Sequence, residues 1–144
     1  MNHILDSSVR TVRQCVQLIK QGVLTSEELV NNCLNTIDRT DANIGAWAYL
    51  DREHVLTQAR MLDDIRRRGE AVGDLHGIPV GIKDIFDTAE FPTQRGSEIY
   101  AERRPDADSA VVEKLREAGA VIMGKTVTTE LAFMHPAATL NPHH

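Results

Sequence analysis

The sequence predicts an α/β fold in which N-terminal helices lead into the first strands and the crossover helix of a mixed sheet. Three observations point to it. Apolar residues in the first half recur at three- and four-residue steps, as on one face of a helix. After Gly69 the chain turns to branched apolar residues set among Gly73, Gly77, Pro79 and Gly81. A helical stretch then separates two short apolar runs, the pattern of a parallel pair joined by a right-handed crossover. A chain of 144 residues is long enough to bury one core and too short for two domains. Residues 1–72 are therefore read as the helical part, and 73–144 as the α/β part, of a single unit.

Each element has a local reason. Val12, Cys15, Val16, Leu18 and Ile19 make an amphipathic stripe over residues 9–22, and Gly22 stops it. Thr25-Ser-Glu-Glu28 has the form of a capping box for a second helix carrying Leu29, Val30, Cys33, Leu34 and Ile37, which ends near 41–43. Residues 44–50, with Trp47 and Tyr49, are extended. Val55, Leu56, Ala59, Leu62 and Ile65 give a third helix over 51–68, closed by Gly69. Residues 75–86 read as a turn feeding a strand, with Ile78, Val80, Ile82 and Ile85 as its apolar content. Asp108 is the expected N-cap of a helix over 109–118, with Val111, Val112 and Leu115 on its buried face. Residues 120–123 are a short buried strand, which Gly124-Lys-Thr126 leaves for a loop or short helix bearing Leu131 and Phe133.

Composition and charge narrow the function. Hydrophobic residues at 42% and charged residues at 26% exclude disordered and low-complexity classes. The net charge of −5 is spread without a basic face, and the one basic cluster, Arg66-Arg67-Arg68, is flanked by acids as at a solvated helix end. Nucleic-acid binding is not expected. Cys15 and Cys33 lack metal-site or redox spacing and read as small buried side chains. No run approaches the roughly 18 apolar residues of a membrane span, and the N-terminus lacks the form of a leader. No membrane partner is expected, and a reducing cytoplasm is the expected compartment.

Two lysines carry candidate chemistry. Gly119-Ala-Val-Ile-Met-Gly124-Lys125-Thr126 satisfies the phosphate-loop pattern. A helix precedes its first glycine, however, and the intervening residues are all apolar, as in a strand. Nucleotide binding through Lys125 is kept as a remote alternative. Gly77-Ile-Pro-Val-Gly-Ile-Lys83-Asp84 delivers a lysine at the end of an apolar run, where desolvation can turn an amine into a base. A salt bridge from Lys83 to Asp84 or Asp87 accounts for the spacing equally well.

Residues 73–87, with that Gly-Ile-Lys-Asp core, resemble the segment that carries the catalytic lysine in the amidase signature family. Pro92-Thr-Gln-Arg-Gly-Ser97 is similar to the family's following loop, and residues 106–133 to its next block. The resemblance runs from about Leu24 to the chain's end. It implies the first part of the family's mixed-sheet fold and a hydrolase of amide carbon–nitrogen bonds acting on a small-molecule amide. The mechanism it implies has a Ser nucleophile, a second Ser in a cis peptide as bridge, and a Lys that accepts and returns the proton. Lys83 stands at the position of that lysine. No cofactor and no metal is implied.

The sequence departs from the family in one decisive respect. Both serines and the oxyanion amides belong to a Gly/Ser-rich segment expected shortly after Asn141-Pro142, which the sequence does not contain. None of Ser7, Ser8, Ser26, Ser97 and Ser109 lies in such a run, so none is taken as nucleophile, and this chain alone is expected to be inactive. Val127 stands where many relatives carry Asn. His135, His143 and His144 are read as exposed rather than as metal ligands. Leu131 and Phe133 are candidates for the substrate pocket, with core packing as the competing reading. A non-catalytic chain that self-associates through exposed strand edges is the alternative function.

Overall fold

Thr11 opens the first helix through a capping box that the residue pattern had not revealed. Its side chain accepts from the Gln14 amide, and the Gln14 side chain accepts in turn from the Thr11 amide. The helix, α1, runs Val12–Lys20 in a computed structural model that describes residues 11–143. The predicted start at Val9, together with Ser7, Ser8 and His144, lies outside the described residues.

Helix α2, Ser26–Ile44, is capped by Thr25 and Glu28 as expected and ends at Gly45, whose φ of 66° needs a residue without Cβ. Strand β1, Trp47–Leu50, leads into α3, Arg52–Arg67, capped by Asp51. Asp63 of α3 gives α2 a second cap. Its buried carboxylate accepts from the amides of Ser26 (2.8 Å) and Glu27 (3.0 Å), placing negative charge at the positive end of α2 and tying the two helices together. Strand β2 is Pro79–Lys83, helix α4 is Ala110–Glu117 and strand β3 is Val121–Thr126.

Three expectations need correction. Ser109, not Asp108, is the N-cap of α4. The Asp108 carboxylate instead accepts from Arg116 Nε (2.7 Å) and the Ala89 amide (2.8 Å), a charge-assisted tertiary pairing that a cap amide alone does not match. Val111 lies 49% exposed, because this two-turn helix buries only a narrow stripe at Val112 and Leu115. Gly124-Lys-Thr126 does not leave the strand. Lys125 pairs with Tyr49 on one side and Ile82 on the other, so the ladder continues where a loop was expected.

The sheet has the order β1-β3-β2, with β1 antiparallel and β2 parallel to β3. Helices α2 and α3 cover one face through Val30, Leu34, Val55, Ala59, Val121 and Met123. On the other face Ile82, Phe91, Val112, Ala120 and Ile122 pack together, and a third cluster joins α1 and the start of α2 to Ile78. The β2–β3 ladder slips register beside Gly124, where Val80 faces Ile122 and Gly81 faces Gly124, and the β1–β3 ladder slips between Trp47 and Tyr49. A Cβ at Gly124 would lie 2.3 Å from the Tyr49 carbonyl oxygen, so only glycine fits. Strict alternation would put Lys125 on the face of Met123; the bulge turns it to the opposite face. Among the described residues no helix is long and apolar enough to cross a membrane.

His76 is buried against α3, its Nε2 lying 3.0 Å from the Leu62 carbonyl oxygen, to which the neutral ring donates. Burial pulls its pKa below the usual histidine value of 6.5, with the carbonyl contact opposing only in part. The unfolded chain therefore takes up a proton that the folded one refuses. The unfolding free energy is expected to fall as the pH drops through about 6.5, and a His76→Gln variant to lose that component in urea titrations at several pH values. Asp63→Ala is expected to lower the unfolding free energy by about 2 kcal/mol in the same assay, since two charge-assisted cap bonds go with it.

Candidate catalytic-lysine site

Because β2 and β3 are parallel, their carboxyl ends meet, and α/β folds place their ligand sites at such ends. Lys83 is the last residue of β2 and lies in register with Thr126, the last of β3. Ile82 is buried while Gly81 and Lys83 are exposed, as a period of two requires. At Gly81 a Cβ would come within 2.9 Å of the Thr126 methyl and 3.1 Å of the Trp47 ring, so glycine lets the indole lie close over the strand beside Lys83.

The Lys83 ammonium has no ion-pair or hydrogen-bond partner among the described residues. The competing expectation, a salt bridge to Asp84 or Asp87, is not formed, because stronger partners hold both carboxylates. Asp87 takes a bidentate pair from Arg103 (2.6 Å on each oxygen) and a weaker contact from Arg95 at 3.4 Å. The hydrogen-bonded Arg103 guanidinium holds the Asp87 carboxyl below the usual range.

Asp84 belongs to Lys125. Their charged groups lie 3.1 Å apart with side chains 3% and 0% exposed, and the Asp84 carboxylate also accepts from the Gln94 amide at 3.2 Å. The Lys125 ammonium donates to Thr93 Oγ1 (2.6 Å) and the Phe86 carbonyl (2.9 Å), with the Pro92 carbonyl at 3.5 Å. Burial pulls its pKa below the ordinary lysine range, and Asp84 offsets part of that fall. The phosphate-loop alternative fails here: residues 121–126 are a strand inside the sheet, and their lysine is sealed from solvent. What sequence reasoning missed was thus the structural role of the second lysine, its pairing with Asp84. A lysine within a buried apolar run was signal enough, since such an ammonium needs a carboxylate.

Other candidates fall out on geometry. Ser26 is fully buried. Ser97 donates to Glu130 Oε1 at 2.8 Å, while His135 Nδ1 lies 3.4 Å from the other oxygen of that carboxylate. With the acid between hydroxyl and imidazole, His135 is not placed to take the Ser97 proton. Ser109 caps α4, and its hydroxyl is buried. His135 and His143 are exposed. The amide of Val127 donates to the Ala46 carbonyl at 2.9 Å, so the loop after β3 is held through the backbone at this position.

Leu131 and Phe133 are 52% and 76% exposed, which overturns the core-packing reading of both. Leu131 sits in a short 3-10 turn, Glu130–Ala132, with φ of 49°, and donates its amide to the carbonyl of Arg95, whose own φ is 56°. Left-handed backbone at non-glycine residues stores strain. Beside this turn a cavity of about 370 Å³ is lined by Ser97, Ile99, Thr128, Glu130 and His135. A cavity of about 610 Å³ is lined by Asp87, Arg95, Arg103 and Ser109 and not by Lys83, and Asp87 already pairs with two of its arginines. Among the described residues no group of three or more His, Cys, Asp and Glu side chains is placed to hold a metal ion.

Comparison with known proteins bears on the same segment. A family model described as Amidase matches residues 28–141. A glutamyl-tRNA(Gln) amidotransferase subunit from Chloroflexus aggregans is 42% identical over 122 residues, which are 85% of this chain and 25% of that protein. The native peptide amidase of Stenotrophomonas maltophilia superposes with a TM-score of 0.80 at 35% identity, over 88% of this chain and 26% of its own. An amidase family protein from Bacillus anthracis gives a TM-score of 0.76 at 31% identity, over 85% of this chain and 25% of its own. The chain spans about a quarter of the length of the relatives it matches.

Removing one member of a buried pair strands the other. Lys125→Met is expected to lower the unfolding free energy by about 3–5 kcal/mol. Lys83→Met, on the exposed edge, is expected to change it by less than about 0.5 kcal/mol in the same urea titration.

Proposed function

The chain belongs to the amidase (amidase signature) family, and from that premise we propose that it supplies the catalytic lysine of an amide carbon–nitrogen hydrolase. One observation carries the reading: Lys83 ends β2 exposed and uncommitted, at the carboxyl end of the parallel pair, while each nearby carboxylate is engaged elsewhere. In the proposed reaction a neutral Lys83 amine takes a proton, through a bridging serine, from a serine hydroxyl. That hydroxyl attacks the amide carbonyl. The tetrahedral oxyanion needs aimed amides, and its collapse breaks the C–N bond as the lysine returns the proton to the leaving nitrogen. Water then releases the acid.

Neither serine is supplied by the described residues, since Ser26, Ser97 and Ser109 are buried or engaged. The chain alone is accordingly proposed to be inactive and to work with polypeptide that contributes the nucleophile. Its substrate is proposed to be a small amide, with Leu131 and Phe133 lining the pocket from their exposed, strained turn. A reducing cytoplasm is its proposed compartment.

The alternative of a non-catalytic, self-associating chain draws on a separate observation. Strands β1 and β2 are both edge strands, and Ile99, Phe133, Met134 and Leu140 are all at least 65% exposed. Light scattering separates the readings, because a concentration-dependent dimer that is unaffected by any added amidase fragment favours self-association.

The test of the hydrolase reading uses ammonia release from simple aliphatic and aromatic amides. The chain alone is expected to give none. Mixed with the C-terminal three quarters of an amidase relative, it is expected to become active, and Lys83→Ala to reduce that activity by at least about 100-fold. A complemented Lys83→Ala protein that keeps full activity would remove Lys83 from the mechanism.

A further inference from the structure

The loops that follow β2 and β3 close on each other beyond the strand ends and leave a cleft between them. They meet at Gly96, where a Cβ would lie 2.7 Å from the Thr128 carbonyl oxygen. The Leu131 amide ties them again by donating to the Arg95 carbonyl at 2.8 Å, with both residues in left-handed backbone. Beside the cavity of about 370 Å³ at Glu130 and His135 lies a second of about 280 Å³, and Ser97, Glu98 and Thr128 line both. The second reaches Asp84 and Val127, the residues that leave β2 and β3. The cleft therefore starts at the carboxyl end of the parallel pair, and its size suits a small molecule.

The charge of this cleft has one sign. Among the described residues no lysine or arginine lines either cavity, whereas Asp84, Glu98 and Glu130 do. Asp84 spends its charge on Lys125, and the exposed Glu98 has no ion-pair partner among the described residues. Glu130 is half-buried; one of its oxygens accepts from Ser97, which fixes the carboxylate, and the other lies 3.4 Å from the exposed His135. A separate observation concerns Thr128. It is only 5% exposed, and its buried hydroxyl has no hydrogen-bond partner among the described residues. A hydroxyl left unpaired in the interior costs free energy that a bound donor removes. A carboxylate and an accepting hydroxyl in one cleft suit a primary ammonium, which brings a positive charge and three N–H donors. We propose that the cleft is a subsite for the ammonium group of a small amine-bearing amide, held by Glu130 and Thr128, with Glu98 adding negative charge. That such an amide is a substrate rests on the hydrolase reading; the binding of its ammonium does not.

The probe is β-alaninamide, an alkyl amine protonated at about pH 7, with neutral butyramide as its isostere. Binding to the full chain is followed through the backbone amide shifts of Gly96, Ser97, Thr128 and Glu130 in two-dimensional NMR, on variants whose fold is verified by circular dichroism. β-Alaninamide is expected to bind at least about tenfold more tightly than butyramide. Glu130→Gln keeps an acceptor for the Ser97 hydroxyl and removes the charge, so it is expected to bring the two probes within about twofold of each other. Thr128→Val is expected to weaken β-alaninamide about fivefold. Equal affinity of the parent for both probes overturns the proposal, as does the absence of saturable shifts at these four residues. A folded Glu130→Gln protein with the parent's affinity for β-alaninamide overturns it too. If Glu130→Gln does not hold the fold, Thr128→Val decides alone by the same criterion. None of these measurements uses turnover. A complemented Lys83→Ala protein with full activity would therefore remove the hydrolase reading of Lys83 and leave the ammonium site standing, whereas equal binding of the two probes would do the reverse.

Discussion

The buried ion pair between Lys125 and Asp84 is the constraint around which the α/β half is arranged. An ammonium taken out of water must find a carboxylate and further acceptors, or give up its proton. Here the demand is met by four groups within a ten-residue stretch, Asp84, Phe86, Pro92 and Thr93. The loop after β2 is therefore shaped by what Lys125 needs. That in turn depends on Gly124. Without the bulge beside it, Lys125 would continue the row of Val121 and Met123 into the apolar layer under α2 and α3, where no acceptor waits. The bulge depends on the missing Cβ, because the Tyr49 carbonyl occupies its place. One glycine thus decides which face a lysine takes, and the lysine decides the course of the loop.

Most elements were legible where the cause was local, although the Thr11 and Gln14 box was not read. The Thr25 and Glu28 box and the apolar stripe of α3 are short-range patterns, and both helices formed where their patterns lay. The parallel pairing of β2 with β3 followed from a helix set between two apolar runs. What escaped was long-range. Asp63 caps a helix from 37 residues away, and Asp108 abandons its cap for Arg116, a choice that becomes visible only once α4 and the Ala89 loop are placed together.

The site divides along the same line. Spacing left Lys83 balanced between a reactive amine and a salt bridge, because Asp84 and Asp87 both lie within reach along the sequence. Only the fold shows that Lys125 and Arg103 reach those carboxylates first. A lysine in an apolar strand does need a physical reason to be there, and that need is greater for Lys125 than for Lys83. The phosphate-loop pattern failed for a related reason. Its glycines serve a helix end at Gly119 and a bulge at Gly124, two backbone needs that happen to be spaced like a nucleotide motif.

The division of labour between the two lysines has a consequence for catalysis. Keeping water from its amine helps a lysine act as a base, and the residue that achieves this most completely here is the structural one. Lys83 is left exposed at the carboxyl end of β2. The proposed chemistry therefore needs more than a nucleophile brought alongside. It needs a surface that closes over this end of the sheet and desolvates the amine. The exposed apolar side chains of Ile99, Phe133 and Met134 offer such a surface something to bury against. Covering them would supply the free energy for ordering the complex, and excluding water from Lys83 would draw on part of it. Docking and activation of the base would then be one event, with binding at the apolar loops driving desolvation at the strand end.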